Sequence, residues 1–349
     1  MCSSIWQFSA RSLNNNRIYS LSIIADTVIM ISINVILISI LKYGVMSLFI
    51  AYIAGKIVMI IMIESKINLV TGAKKSDFDI GLLKAIIKYS FPLCINAVSW
   101  WLISSSNSLI ISYHLGVEEN GIYSLANQFG AFMTLFTTVI NMAWLEESYR
   151  VHGNKGSDEY FNRILDLLVR FILSGVAILI PLTYIFYQLF VFGEYKLGVV
   201  LTPIIYLNAA LSAIVTHLGS GFLAKKESKV IFQTTLIGGI ISVSTAFVVA
   251  DTYGLVGIVA ASLIGTISMF IIRVPLLKKR MNLKIKYNTI ICFLILCISL
   301  MLVCNIYEES FNHQIFIALA TLALLVVINK ELIIYFFTKK YNILKSGGK

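Results

Sequence analysis

Ten apolar runs of membrane-spanning length follow one another along the chain, at 19–41, 43–63, 85–111, 121–145, 164–189, 198–222, 229–250, 254–275, 287–306 and 314–329. A helix needs roughly 17–25 apolar residues to cross about 30 Å of hydrocarbon. A membrane β-barrel would show segments of about 10 residues with alternating polarity instead. The expected fold class is therefore an all-α integral membrane protein of about ten transmembrane helices, with no soluble domain. Composition agrees: 58% of residues are hydrophobic and 13% charged, against about 25% charged in soluble domains.

The net charge of +11 would suggest nucleic acid in a soluble protein. Here the basic residues fall between the apolar runs, so they report orientation and no nucleic-acid partner is expected. With the N-terminus in the cytoplasm, the inner side collects Arg11 and Arg17, then Lys66, Lys74, Lys75, Lys84 and Lys88. Further along it collects Arg150, Lys155, Arg163, Arg170, Lys225, Lys226, Lys229, Arg273, the Lys278–Lys286 cluster and the C-terminal lysines. The outer side keeps Lys42 and Lys196. This asymmetry predicts an even helix count with both termini cytoplasmic. The first seventeen residues have no continuous apolar core, so no secretory signal is expected. Cys2, Cys94, Cys292, Cys297 and Cys304 form no CxxC pair and read as small hydrophobes. No cofactor or metal is expected.

An internal repeat organises the runs. Tyr43-Gly44-Val45-Met46-Ser47, followed by Ala51 and Gly55, recurs 210 residues later as Tyr253-Gly254-Leu255-Val256-Gly257, followed by Ala261 and Gly265. Each copy opens a helix running inward after one running outward. If each copy closes a bundle, residues 1–66 are the last hairpin of a first, incomplete bundle. Residues 75–280 are then a complete second six-helix bundle, and 285–349 a terminal helix pair with a tail. On this reading the chain is a truncated form of a two-bundle transporter of about fourteen helices.

Charges inside apolar runs are expensive, about 2.5–3.5 kcal/mol each by insertion scales, so they pair, snorkel or serve a pathway. Asp26 and Lys56 lie about 10 Å deep on neighbouring antiparallel helices. They read as a matched pair, either structural or part of a transport route. Trp100 and Trp101 sit mid-helix, as packing or as sugar-stacking surfaces, and one face can present only one of them. The polar cluster Ser104, Ser105, Ser106, Asn107 and Ser108 is expected to face a cavity or another helix in part. Asp77-Phe78-Asp79 has the form of a metal-binding DxD, but reads better as the acidic start of a helix. His114, His152, His217 and His313 are scattered, with no HExxH. No motif points to an enzyme.

Several motifs stand in a familiar order: Tyr89-Ser90-Phe91-Pro92-Leu93, Trp101, Leu115-Gly116, Gly121-Ile122-Tyr123-Ser124-Leu125-Ala126-Asn127-Gln128, Ala143-Trp144, and Tyr253-Gly254-Leu255-Val256-Gly257-Ile258-Val259-Ala260-Ala261. In this order the chain resembles the polysaccharide flippases of the MOP superfamily, the O-antigen and capsule repeat-unit exporters. The resemblance implies a MATE-like fold of two bundles around a central polar cavity. It also implies transport of undecaprenyl-diphosphate-linked oligosaccharide across the bacterial inner membrane. The implied partners are the lipid-linked oligosaccharide, the phospholipid bilayer and other glycan-assembly membrane proteins. Cations near the loading face would attract the diphosphate, with Lys56, Arg150 and Arg170 as candidates and Arg273 a weaker one. The candidate substrate-pathway residues are Asp26, Lys56, Trp101, Asn107, Gln128, Arg150 and Arg170. The sequence departs from the family pattern at Asn107-Ser108, where an acidic–basic pair is common. It departs again at Glu146-Glu147, where a proline is common. The competing readings are a multidrug or cation antiporter of the same superfamily and a membrane-embedded glycan polymerase or acyltransferase. A polymerase is disfavoured because the outer loops are short and nearly free of Lys and Arg.

Overall fold

The computed structural model describes residues 2–70, 72, 78–151, 156–308 and 310–330. Asp77, His152 and the basic residues Lys74, Lys75, Lys155, Lys339, Lys340, Lys345 and Lys349 lie outside the described residues. Every regular element among those described is helical. The chain divides into two compact units, Met1–Lys84 and Ala85–Lys349.

The first unit holds α1 (Cys2–Ser12), α2 (Asn16–Val35, continued by a wider π turn at Ile36–Ile40) and α3 (Met46–Ile67). Asn15 starts α2 by accepting the Ile18 N–H, and Asn68 ends α3 in the left-handed conformation with its own N–H on the Glu64 carbonyl. The packing face of α3 is a stripe four residues apart: Ser47, Ala51, Gly55, Met59 and Ile63, all buried. Small residues at this face let two membrane helices approach closely. The approach is tightest at Gly55, where a Cβ would lie 2.5 Å from Asp26 Oδ1 and 2.9 Å from the Asp26 carbonyl. α1 was not among the ten expected spans. It is tied to α3 by Trp6 Nε1, which donates to Glu64 Oε2 at 2.7 Å, and by Ala10 packing with Met59 and Ile63.

The second unit runs α4 (Ile80–His114), α5 (Val117–Val151), α6 (Ser157–Phe190), a 3-10 turn at Gly193–Val200, α7 (Leu201–Ala224), α8 (Ser228–Lys278), α9 (Tyr287–Ile306) and α10 (Phe311–Ile328). α4 begins earlier than its apolar run because Asp79 caps it: Oδ1 accepts the N–H groups of Gly81 (2.7 Å) and Leu82 (3.2 Å). The Asp79 carboxylate thus has the helix-start role expected from sequence.

Nine helices among the described residues are long and apolar enough to cross a membrane. One of them, α8, has 51 residues, about 75 Å of helix against a hydrocarbon core of about 30 Å. At Gly254 the backbone leaves helical geometry (φ 55°, ψ −142°). α8 is therefore two limbs, 228–253 and 255–278, each of spanning length. Ten crossing segments result, as the hydropathy pattern predicts.

The two copies of the repeat share local geometry. Gly44 and Gly254 both have positive φ, 58° and 55°, a conformation glycine adopts without steric cost. Ala51 and Ala261 are fully buried. Gly265, like Gly55, is a point of close approach: a Cβ there would lie 2.6 Å from the Gly238 carbonyl oxygen on the other limb. In the second unit α7 carries the most thoroughly buried surface, and α9 and α10 pack on α6. α9 and α10 thus belong to the same compact unit as α5 to α8.

Candidate transport cavity

A cavity of about 850 Å³ opens in the second unit, walled by α4, α5 and α7. Its polar lining is set by periodicity. On α7, Asn208, Ser212, Thr216 and Ser220 recur every four residues and make one continuous face. On α5, Asn127, Thr134, Thr137, Thr138 and Asn141 fall on a second polar face. α4 adds Ser104 and Trp100. Among the described residues no charged side chain lines this cavity.

Six hydroxyls of this lining, on Ser104, Thr134, Thr137, Thr138, Thr216 and Ser220, satisfy their donors within their own helices. Thr134 Oγ1 donates to the Gly130 carbonyl (2.9 Å), Thr138 Oγ1 to Thr134 (2.8 Å) and Thr216 Oγ1 to Ser212 (2.7 Å). Such back-bonding hides the donor and leaves oxygen lone pairs outward as acceptors. The amides differ. Asn141 Oδ1 is buried without a hydrogen-bond partner, and Asn208 Oδ1 accepts from Thr266 Oγ1 at 2.7 Å. The result is a neutral wall of acceptors and amides, interleaved with Ile205, Ala209, Ala213 and Leu223.

Trp144 closes one end of the wall. Its Nε1 donates to Ser220 Oγ at 2.7 Å, and its ring stacks on His217 with centroids 4.8 Å apart. Behind α7, Arg273 is fully buried. It donates to Thr234 Oγ1, Thr235 Oγ1 and the Val215 carbonyl, each at 2.8 Å, and to the Ile231 carbonyl at 3.3 Å. All four acceptors are neutral. Four of the five guanidinium N–H groups are thus engaged, and the fork staples α7 and both limbs of α8 together.

Of the pathway residues singled out from sequence in the second unit, none lines this cavity. Asp26 and Lys56 do meet, with Nζ 2.5 Å from Oδ2, as their matched depth predicts. The other carboxylate oxygen, Oδ1, is buried without a partner. Asn107 is buried and donates to Ser262 Oγ at 2.7 Å and to the Tyr123 hydroxyl at 3.4 Å, so the polar cluster of α4 divides. Asn107 joins helices, Ser108 donates to Asn120 Oδ1, and Ser104 turns to the cavity. Of the tryptophan pair, Trp100 lines the cavity while Trp101 points away, 65% exposed. Gln128 is exposed, and its neighbour Asn127 takes the place on the cavity wall. The Arg150 side chain is 78% exposed and pairs with Glu147 at 2.8 Å. Arg170 belongs to a different recess, formed with α9 and α10. The stripes on α5 and α7 were not picked out from sequence, although the spacing 208, 212, 216, 220 carries the signal.

Helices of spanning length and the neutral cavity among them define a multi-pass membrane protein. The lipid II flippase MurJ, in its inward closed conformation, superposes with a TM-score of 0.65 at 18% identity, over 94% of this chain and 71% of that one. A point mutant of the MATE transporter VcmN of Vibrio cholerae superposes with a TM-score of 0.67 at 16% identity, over 80% of this chain and 65% of that one. No curated protein matches by sequence. The model of the polysaccharide biosynthesis protein family matches residues 7–194, more than half of the chain, and the chain belongs to that family.

Proposed function

We propose that the chain is a flippase that carries undecaprenyl-diphosphate-linked oligosaccharide repeat units across the bacterial inner membrane for O-antigen or capsule assembly, with both termini in the cytoplasm. The observation that carries this reading is the neutral wall of α5 and α7. A sugar headgroup crossing hydrocarbon leaves hydroxyls and amides unsatisfied, at several kcal/mol each. A wall of outward acceptors and unspent amides offers them partners without binding any one sugar tightly. The family match and the likeness to a lipid II flippase support the same direction.

Cation antiport is the second reading, favoured by the VcmN likeness. It needs an intramembrane carboxylate able to hold a cation. Asp26 is already neutralised by Lys56, and the described lining of the cavity is uncharged. The Asp26–Lys56 pair is then a structural or gating element of the first unit. The test is rescue. Expressed in a strain lacking its own flippase but making the cognate lipid-linked glycan, the chain restores surface polysaccharide. Absence of rescue, with normal membrane levels and intact glycan synthesis, refutes the flippase reading.

A further inference from the structure

A second recess, of about 290 Å³, lies where α6 meets α9 and α10, apart from the α4–α5–α7 cavity. Its lining is graded. Arg170, Asn288 and Thr289 form a polar end; Cys292, Phe293, Leu296 and Ile328 form the apolar remainder. The polar end carries surplus positive charge. Asp166 is shared by two cations, with Arg170 Nε at 3.4 Å and Lys286 Nζ at 3.0 Å from the same Oδ2. Lys284 lines the adjoining recess beside Asp166 and Lys286. One carboxylate thus serves two cations, with a third lining the recess beside it.

Arg170 is held but not saturated. Its side chain is 18% exposed, and Nε is buried without a hydrogen bond of good geometry, Asp166 included. This is unlike Arg273, each of whose three guanidinium nitrogens donates to a neutral acceptor. A guanidinium with spare donors at the polar end of an apolar groove fits a phosphodiester above an acyl chain. The outer faces of α9 support this, since Ile291 and Ile295 are exposed apolar side chains that continue the surface an acyl chain would follow.

We infer that the α6–α9–α10 groove is a binding site for an anionic phospholipid of the leaflet at the basic end of these helices. Arg170 and Lys286 hold the phosphate, and Phe293 and Leu296 line the chain. The inference is independent of what the α4–α5–α7 cavity transports.

The test uses the full chain in detergent and native mass spectrometry, titrated with phosphatidylglycerol, phosphatidylcholine or undecaprenyl phosphate. The wild type retains phosphatidylglycerol in preference to phosphatidylcholine. Arg170→Gln lowers its apparent affinity about fivefold or more, the loss of one charge-assisted hydrogen bond. Arg170→Lys keeps part of it, and Lys196→Gln leaves it unchanged. Should Arg170→Gln not fold, Lys286→Gln, whose side chain is 62% exposed, serves as the second variant and lowers retention likewise. Equal retention of the two phospholipids, or unchanged retention in a folded Arg170→Gln or Lys286→Gln protein, overturns the inference. So does selective retention of undecaprenyl phosphate alone, which would give the groove to a prenyl carrier.

Discussion

At the scale of single residues, the membrane makes each charge account for itself. Arg273 does so through four neutral acceptors. Arg273→Ala takes the donor away from two threonine hydroxyls and two carbonyls and leaves a void, an expected loss of about 3 kcal/mol. Arg273→Lys rescues little, because one ammonium cannot span the fork's acceptors on separate elements. Thermal unfolding in detergent reads both. Lys56→Met leaves Asp26 buried and unpaired, so membrane levels fall further than in Lys56→Met/Asp26→Leu, where no orphan charge remains. Equal levels in the two would show that an unpaired Asp26 costs nothing. The pair was legible in the sequence because depth along two adjacent helices follows from residue counting. The destinations of Arg150 and Arg170 were not legible, since they depend on which way each helix turns about its axis, and tertiary packing sets that.

At the scale of elements, the close-packed hairpins rest on small residues at matched places in the repeat. Gly55→Leu and Gly265→Leu drive a branched side chain into backbone that lies within 3 Å of where Cβ would sit. Each is expected to cost about 2–3 kcal/mol or more, seen as lower yield and a lower melting temperature. Leu82→Ala, on an exposed face of α4, is the neutral comparison. Helix existence and number were readable from hydropathy, and so was the break at Gly254, from its place in the repeat. The polar stripes of α5 and α7 were in the sequence as period-four spacing. Serine and threonine barely lower the hydropathy of a run, so spans were found there before faces. α1 went unread because an 11-residue segment becomes a helix here through its contacts with α3.

At the scale of the whole molecule, a fold like that of the flippase MurJ and of MATE transporters holds a neutral cavity in its second unit. The charge asymmetry predicts a fixed orientation: in a chain freed of its own cysteines, a single cysteine at Lys196 reacts with an impermeant maleimide in intact cells, and one at Lys279 reacts only once the membrane is opened. The reverse assignment would contradict the cytoplasmic placement of the basic ends. The central claim is that the α5–α7 wall carries a glycan headgroup across. The most direct measurement is the amount of lipid-linked repeat unit exposed on the outer leaflet, read by an impermeant glycosidase or lectin in a strain relying on this chain. Asn208→Leu with Ser212→Leu replaces two adjacent polar side chains of the α7 face by apolar ones, and outer-leaflet exposure falls tenfold or more at unchanged protein level, about 1.4 kcal/mol or more on the crossing step. Unchanged exposure in that double variant would contradict the account.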